Sequence, residues 1–485
     1  MKLERAKPEA MGLSSQAILD FLKAVQKHEM HSFMLLKGGK VICERWWEPF
    51  GSNYRHQMFS LSKSFTSTAI GMAVEEGLLT VDTLLADIFT QEFEQIGERM
   101  DEEVRGMTIK NLLIMSTGME YEAWDKGAVL WGNTAEEHRD VNHIISFLSA
   151  HIKEKPGEVF RYSTIATFML SAALTRLTGQ TVRDYLQPRL FEPLGITDLY
   201  WRTDEGSGAT VGGFGLNINT EGVAKFGQFL LQKGMWQGKQ LVSQAWIEEA
   251  TAKHIDNSNE RTGDWALGYG YQFWRCRPEG AYRGDGMFGQ YCIVLPKEDM
   301  VIAATSNGDM QQVLDLFWDM IDNLKIMPAD AKAEKELDAY TNFTHLKLEE
   351  ASEAYPTFMA EYKMESGPFS SISFDFNGTE CIVAVYQNDD KTPKAAFSFV
   401  NGEWTKGAAP HLTPFPPYYP ERINRVAAKG EWNNQTFTTT TWFYESACKD
   451  QYRFTFKGDE IFFEMRGGNF NTEFEAVSKG SRDKS

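Results

Sequence analysis

The sequence predicts an α+β protein: one antiparallel sheet flanked by helices, interrupted by a helical subdomain, and followed by a separate all-β domain. Three observations carry this. Strand-like segments lie near both ends of the first part of the chain and bracket a helical middle. After about residue 345 the pattern changes to period-two alternation. The chain's 485 residues, 42% apolar and 13% aromatic, supply more core than one ordinary domain holds.

In order, "LSSQAILDFLKAVQKH" offers Ser14 or Ser15 as N-cap before a helical period of Ile18, Phe21, Leu22 and Val25. "SFMLLKGGKVICERWW" reads as a hairpin turning at Gly38-Gly39. A helix then opens within "HQMFSLSKSFTSTAIGMAVEEGLLT", and the middle, including "STIATFMLSAALTRLTGQTVRDYL", is mostly helical. "LGYGYQFWR", "QYCIVLP" and "DMVIAATSN" return to strands before a last helix, "MQQVLDLFWDMIDNLKI". "MPADAKAEKELDAY" is charged and poor in large apolar groups, so residues 329–344 are expected to be a linker or exposed helix between domains at 1–328 and 345–485. In the second domain Tyr452, Phe454 and Phe456 alternate with Arg453, Thr455 and Lys457 before a Gly458-Asp459 turn.

The net charge of −18 disfavours nucleic acid and anionic membrane as partners. No apolar run is long enough for a membrane span, and "MKLERAKPEAMG" lacks a signal-peptide core, so a cytoplasmic location is expected. The five cysteines are dispersed without a CxxC pair and read as reduced core thiols. "EEHRDVNHIISFLSAH", with His138 and His143, reads as an amphipathic helix with solvated ends, not a metal site. No metal or cofactor is implied.

The helix start is unusual. Ser60, Ser62, Ser64, Thr66, Ser67 and Thr68 crowd a segment that continues into plain core, although hydroxyls compete with helix hydrogen bonds. Ser60 and Lys63 stand three apart, on one helical face. A neutral lysine amine can take a serine proton if burial lowers its pKa, and a backbone N–H at the first turn can face a developing oxyanion. The bare spacing is weak evidence, since Ser446–Lys449 and Ser481–Lys484 repeat it. A GxGxxG at Gly284–Gly289 opens a strand instead of a helix, which argues against dinucleotide binding.

From about residue 8 to 325 the sequence resembles the serine β-lactamase and penicillin-binding-protein superfamily, nearest its class C, esterase and 6-aminohexanoate-dimer hydrolase branches. "FSLSKSFTSTAIGMAVEEGLLTVDT", "IKNLLIMSTGMEY" and "GGFGLNINTEGVAKFGQFLLQKG" carry the resemblance in order. It implies a β-lactamase/transpeptidase-like fold, with Ser60 as acyl-forming nucleophile and Lys63 as its partner. "PGEVFRYSTIATFML" stands where the family has Tyr-x-Asn. It implies Tyr162 as a phenol whose anion, held by Lys63, takes the serine proton and later passes it to the leaving group, and it leaves Thr164 in place of the amide, a departure that weighs against efficient β-lactam turnover. "AYRGDGMFGQYCIVL" stands at the third element. Gly286 takes the family's glycine position, Met287 offers its N–H as second oxyanion donor, and Gly284 replaces the usual basic residue. Arg283 beside it is a candidate for a substrate carboxylate, or else a plain turn residue. Trp46, Trp47, Tyr121, Trp124, Trp131, Trp274 and Phe288 are candidate pocket aromatics or packing.

The expectation is a serine hydrolase acting on an ester or amide of a small molecule, as a possible homo-oligomer. The alternative is a catalytically weak or inactive protein that kept the fold to bind a ligand or peptide. The C-terminal domain loosely resembles β-barrel extensions of D-aminopeptidase-like relatives, which implies a role in substrate access or oligomer contacts.

Overall fold

Ser14 accepts the Gln16 N–H and starts α1 (Ser15–Val25), which buries Ile18, Leu19, Phe21, Leu22 and Val25. β1 (Met30–Lys37) and β2 (Lys40–Trp46) are joined by Gly38 and Gly39, both at positive φ (57° and 76°), the type I′ geometry that suits a two-residue hairpin. The computed structural model describes residues 2–119, 142–204, 206–326, 330–342, 353–388, 392–409, 424–444, 448–467 and 475–483. His138, Tyr121, Trp124 and Trp131 lie outside them.

β3 (His56–Gln57) leads through a 3-10 turn at Phe59–Leu61 into α2 (Ser62–Glu75). The helical middle includes α3 (Ile109–Leu113), α4 (His143–Leu148) and α5 (Thr164–Thr178). β4 (Tyr200–Trp201) and β5 (Leu216–Ile218) then pair, with β5 also pairing to β3, before α6 (Thr220–Leu231). Last come β6 (Trp274–Arg275), β7 (Tyr282–Gly286), β8 (Gln290–Leu295), β9 (Met300–Ser306), α7 (Met310–Ile326) and α8 (Ala331–Asn342).

The main sheet runs β2-β1-β9-β8-β7-β6, so the N-terminal hairpin closes on the last strand, with Phe33 opposite Ala304. Alternation sets its two faces. Phe33, Leu35, Ile293, Leu295 and Ile302 pack with α1 and α7. α6 lies against β8 and β9, and its Phe226 stacks on Phe65 of α2 at 3.8 Å, which ties α2 to the sheet layer.

Two expectations are corrected. The linker segment 329–344 holds α8, which belongs to the first unit. Its Ala333 and Leu337, one helical turn apart, are buried, and Leu337 joins the α1–α7 core while Lys23–Glu336 and Lys7–Glu334 pair at the rim. His143 is not a solvated helix end: it is buried and meets Asp204 at 3.0 Å.

The chain divides into two compact units at Thr344/His345. The second is one ten-stranded antiparallel sheet. Its strands are β10 (Thr357–Met364), β11 (Ser371–Asn377), β12 (Glu380–Tyr386), β13 (Ala395–Val400), β14 (Thr405–Ala409), β15 (Asn424–Asn433), β16 (Thr436–Phe443), β17 (Cys448–Lys457), β18 (Glu460–Gly467) and β19 (Glu475–Arg482). Its order is β13-β12-β11-β10-β19-β18-β17-β16-β15-β14. The sheet curls barrel-like around an aromatic core containing Phe374, Phe376, Phe399, Phe437, Phe454 and Phe456. All five cysteines are buried thiols. Among the described residues no helix is long and apolar enough to cross a membrane, and no group of side chains is arranged to hold a metal ion.

Candidate active site

The Met58 N–H donates to the Leu216 carbonyl at 2.8 Å, anchoring the chain to β5 just before the turn. Phe59 then takes a positive φ of 45°, a costly conformation for a bulky residue, and turns the chain into α2. The crowded hydroxyls are mostly staples. Ser62 donates to the Phe59 carbonyl (2.6 Å) and accepts the Leu216 N–H (3.1 Å). Ser64 donates to the Gln272 carbonyl, Thr66 to that of Gly212, and Thr68 back to Ser64, each at 2.9 Å. They fasten a buried helix to loops on every side.

Ser60, half-buried, has a different neighbour: the Lys63 Nζ at 3.0 Å. That nitrogen is also 3.0 Å from Thr164 Oγ1 and 2.7 Å from the Gly213 carbonyl. Burial drives the Lys63 pKa well below its ordinary value, with Asp285 opposing part of the shift. A neutral amine fits these partners: two N–H groups for Gly213 and Thr164, and a lone pair for the Ser60 hydroxyl. Gly213 sits so close to α5 that a Cβ there would lie 2.6 Å from Thr164 Cγ2, so only glycine brings this carbonyl to the amine.

The Tyr162 ring lies 4.9 Å from Lys63 Nζ, and its phenol is near enough to Ser60 for that residue to influence its titration. Burial raises the phenol pKa, outweighing Ser60 and the nearby Arg261, which lower it. Ser60 in the 3-10 turn, Lys63 in the first turn of α2, Tyr162 just ahead of α5 and Thr164 at its first position therefore converge. The Tyr162 ring stacks on Trp274 (5.5 Å, 15°).

Across the cleft runs β7. Gly284 packs on Leu61 and Ser64, and Gly286 packs so tightly on Met58 and Phe59 that any side chain there would strike the Met58 carbonyl. Met287 follows at once. Its carbonyl accepts from Gln290 Nε2 at 2.9 Å, and the same amide donates to Ser306 at 2.9 Å, which fixes the peptide orientation at the strand end. Arg283 faces the other side of the sheet. It is fully buried, donates to Asp285 at 2.8 Å and to the carbonyls of Asp264 and Arg275, and has no surface for a substrate. Strand alternation explains this: with Gly284 and Gly286 toward Ser60, residue 283 must point away.

Of the aromatic candidates, Trp274 and Phe288 adjoin the site, Phe288 meeting Phe59 edge-on at 5.3 Å. Trp47 lies in the α1–α7 core, and Trp46 lines a separate surface cavity with Arg5 and Glu221. Sequence reasoning missed Gly213, Glu260, Arg261 and Gln290. The Glu260 carboxylate accepts the Tyr162 N–H at 3.2 Å, and the Arg261 guanidinium lies 5.1 Å from the Tyr162 ring centre. Nothing in "SNERTGDW" marks these residues, because they reach the site through a loop fold.

The family match and the named relatives define a serine hydrolase of the β-lactamase and penicillin-binding-protein superfamily. The chain belongs to the β-lactamase family, whose model matches residues 22–318. It is 24% identical over 295 residues to the 6-aminohexanoate-dimer hydrolase of Paenarthrobacter ureafaciens, a match covering 57% of this chain and 72% of that protein. It is 28% identical over 150 residues to the lovastatin esterase of Penicillium rubens, covering 29% of this chain and only 37% of the esterase. Among solved structures, an octameric penicillin-binding protein homologue from Pyrococcus abyssi aligns over 96% of this chain and 98% of its own (TM-score 0.50, 17% identity). A penicillin-binding protein homologue from Caulobacter crescentus covers 67% of this chain and 100% of its own (TM-score 0.52, 16% identity).

Proposed function

We propose that this hydrolase cleaves an ester or amide bond of a small substrate through an acyl-enzyme on Ser60. The observation that carries the reading is the buried amine of Lys63, 3.0 Å from the Ser60 oxygen and held by two further oxygens. Ser60 Oγ attacks the carbonyl carbon while its proton passes to the Lys63 lone pair. The backbone N–H groups of Ser60 and Met287 hold the carbonyl oxygen as it gains charge. The Tyr162 phenol gives its proton to the leaving atom and regains one from Lys63 as the C–O or C–N bond breaks. Water then attacks the acyl carbon along the reverse proton route, releasing the acid and free Ser60. The shift directions favour neutral amine and neutral phenol in the resting enzyme over the tyrosinate–ammonium pair that the family resemblance also allows.

With Thr164 instead of an amide and Gly284 instead of a base, the site is an ester or small-amide hydrolase ahead of a β-lactam hydrolase. The relatives named as an amide-dimer hydrolase and an esterase accord with that. An octameric relative makes self-association a reasonable expectation. A fluorophosphonate probe followed by intact-mass analysis tests the proposal. One adduct on the wild-type chain and none on Ser60→Ala is expected. No adduct on either would leave only a ligand-binding role.

A further inference from the structure

Gln272, two residues before β6, joins three separate segments through its polar atoms. Its backbone carbonyl accepts Ser64 Oγ at 2.9 Å, on α2 and next in sequence to Lys63. Its side-chain Oε1 accepts Thr167 Oγ1 at 2.6 Å, on α5 one turn beyond Thr164. Its Nε2 donates to the carbonyls of Leu112 (3.1 Å) and Leu113 (2.8 Å) at the end of α3, and its backbone N–H donates to that of Leu113 as well (3.2 Å). Among the described residues no hydrogen bond joins it to Ser60, Lys63, Tyr162 or Thr164.

Each of the three segments governs one member of the site. α2 brings Lys63, and α5 brings Thr164. The end of α3 governs Tyr162 through Met115, two residues further on. The Met115 carbonyl accepts the Arg161 N–H at 2.7 Å and its sulfur accepts the Ser163 N–H at 3.2 Å, so the backbone is held on both sides of the phenol. The chain leaving Gln272 adds a further tie, since Trp274 stacks on the Tyr162 ring. Gln272 holds this place at a cost. It is 2% exposed, and its φ of 66° lies in the left-handed region that a glutamine seldom adopts. An amide suits the place because one end accepts and the other donates twice. A carboxylate would set an acceptor against the two leucine carbonyls, and an apolar chain would leave the buried Thr167 hydroxyl unmet.

We infer that Gln272 is a positioning residue, which sets the register of α2, α3 and α5 so that Lys63, Tyr162 and Thr164 converge on Ser60. This rests on the Ser60 hydrolase reading. Loosening the clamp has its own signature. Water then reaches Lys63 and relaxes the burial that holds its pKa down, so the pKa rises and the acid limb of activity moves to higher pH. Loss of the Thr164 hydroxyl alone acts in the opposite sense, because it removes a partner of the ammonium and leaves the site closed.

The mildest test sets Thr167→Val beside Thr167→Ser, which delete and keep the hydroxyl that Gln272 accepts. On 4-nitrophenyl butyrate, Thr167→Val should lower kcat about 10-fold, change KM less than about two-fold, and move the acid limb of kcat/KM up by about 0.5–1 pH unit. Thr167→Ser should return all three to wild-type values. Gln272→Met should give the same pattern more strongly, with kcat down about 100-fold. If it fails to fold, the Thr167 pair still decides. Leu337→Ala, in the α1–α7 core, is the destabilised control: its Tm should fall while kcat and the acid limb stay in place. An acid limb that Thr167→Val leaves where it was, or a loss confined to KM or to Tm, would overturn the inference.

A second readout needs no turnover and separates this from failure of the hydrolase reading. In Ser60→Ala protein isotope-labelled at lysine Cε, the Lys63 resonance, assigned by its loss in Lys63→Met, reports the titration of the amine by NMR. A midpoint that Thr167→Val moves up supports the positioning role even if no ester is cleaved. A midpoint that stays in place refutes it even if Ser60 proves fully active.

Discussion

A Thr164→Val substitution removes one hydroxyl from the Lys63 amine and changes little else, since Thr164 is 1% exposed and caps nothing itself. The lost contact is the 3.0 Å hydrogen bond between Lys63 Nζ and Thr164 Oγ1. Such a bond contributes about 1.5–3 kcal/mol to a charged donor and about 0.5–1.5 kcal/mol to a neutral one. The ammonium therefore loses roughly 1–1.5 kcal/mol more than the amine, close to the 1.36 kcal/mol that corresponds to one pKa unit. The base must be neutral to act, so activity falls as pH drops through the Lys63 pKa, and a lower pKa carries that fall to lower pH. In the variant the acid limb of kcat/KM should move down by about one pH unit, while the plateau drops about 10-fold because the lone pair is less well aimed. Initial rates on 4-nitrophenyl butyrate between about pH 4 and 9, with Ser60→Ala as blank, measure both. An acid limb that stays in place or moves up would show that Lys63 is not the titrating base.

Tyr162→Phe should cost about 10²–10⁴-fold in kcat on an anilide, where the leaving nitrogen needs a proton, and far less on a nitrophenyl ester. Comparing the two substrates checks this. Gly213→Ala should lower both Tm and kcat/KM, because the new Cβ meets Thr164 Cγ2 at 2.6 Å and pushes the carbonyl off Lys63. Thermal melts alongside ester assays test it. Leu337→Ala should lower stability by about 2–5 kcal/mol, the usual cost of a buried leucine, if α8 is part of the first unit's core; urea unfolding reads it. His56, buried against His31 at 2.8 Å, has its pKa pushed down to about 4 by burial, against about 6.5 unfolded. The unfolded chain then binds the extra proton between those values, so stability should fall by roughly 3 kcal/mol as pH drops from 6.5 to 4. His56→Gln should flatten that slope in urea midpoints taken across the window.

Local pattern made the architecture readable. The Ser14 cap, the Gly38-Gly39 turn and the alternation at Tyr452–Phe456 each state their geometry within a few residues. Ordered motifs did the same for Ser60, Lys63 and Tyr162, which the chain brings together from the start of α2 and the segment just before α5. Of the two readings of 329–344, linker or exposed helix, the helix held as α8, but its two buried anchors, Ala333 and Leu337, cannot be told from chance until the partner helix is known. Arg283 was misjudged by one strand position: alternation puts the glycines of β7 toward the serine and sends the arginine through to the other face. Arg261 and Gly213 could not be read at all, since their roles depend on where a loop and a glycine turn come to rest against α5. The opening crowd of hydroxyls invited a catalytic explanation, and the structure gives most of them a structural one.

That division matters for the proposed chemistry. Burying the Lys63 amine among apolar residues costs stability unless the amine stays neutral and its N–H groups are met, and the carbonyl of Gly213 and the hydroxyl of Thr164 meet them. Both shifts, down for Lys63 and up for Tyr162, favour the uncharged form of each group. Charge then separates only during attack, when the amine becomes an ammonium and the substrate carbonyl an oxyanion. Gly213 and Thr164 bind the ammonium more strongly than the amine, and the two backbone N–H groups bind the oxyanion more strongly than a ketone-like oxygen. All four contacts are therefore stronger in the transition state than before it, which is the condition for raising kcat and not merely tightening binding. It follows that Thr164→Val should reduce kcat and leave KM for a small ester nearly unchanged. A loss confined to KM would mean that Thr164 contacts the substrate itself, and the neutral-pair account would have to be given up.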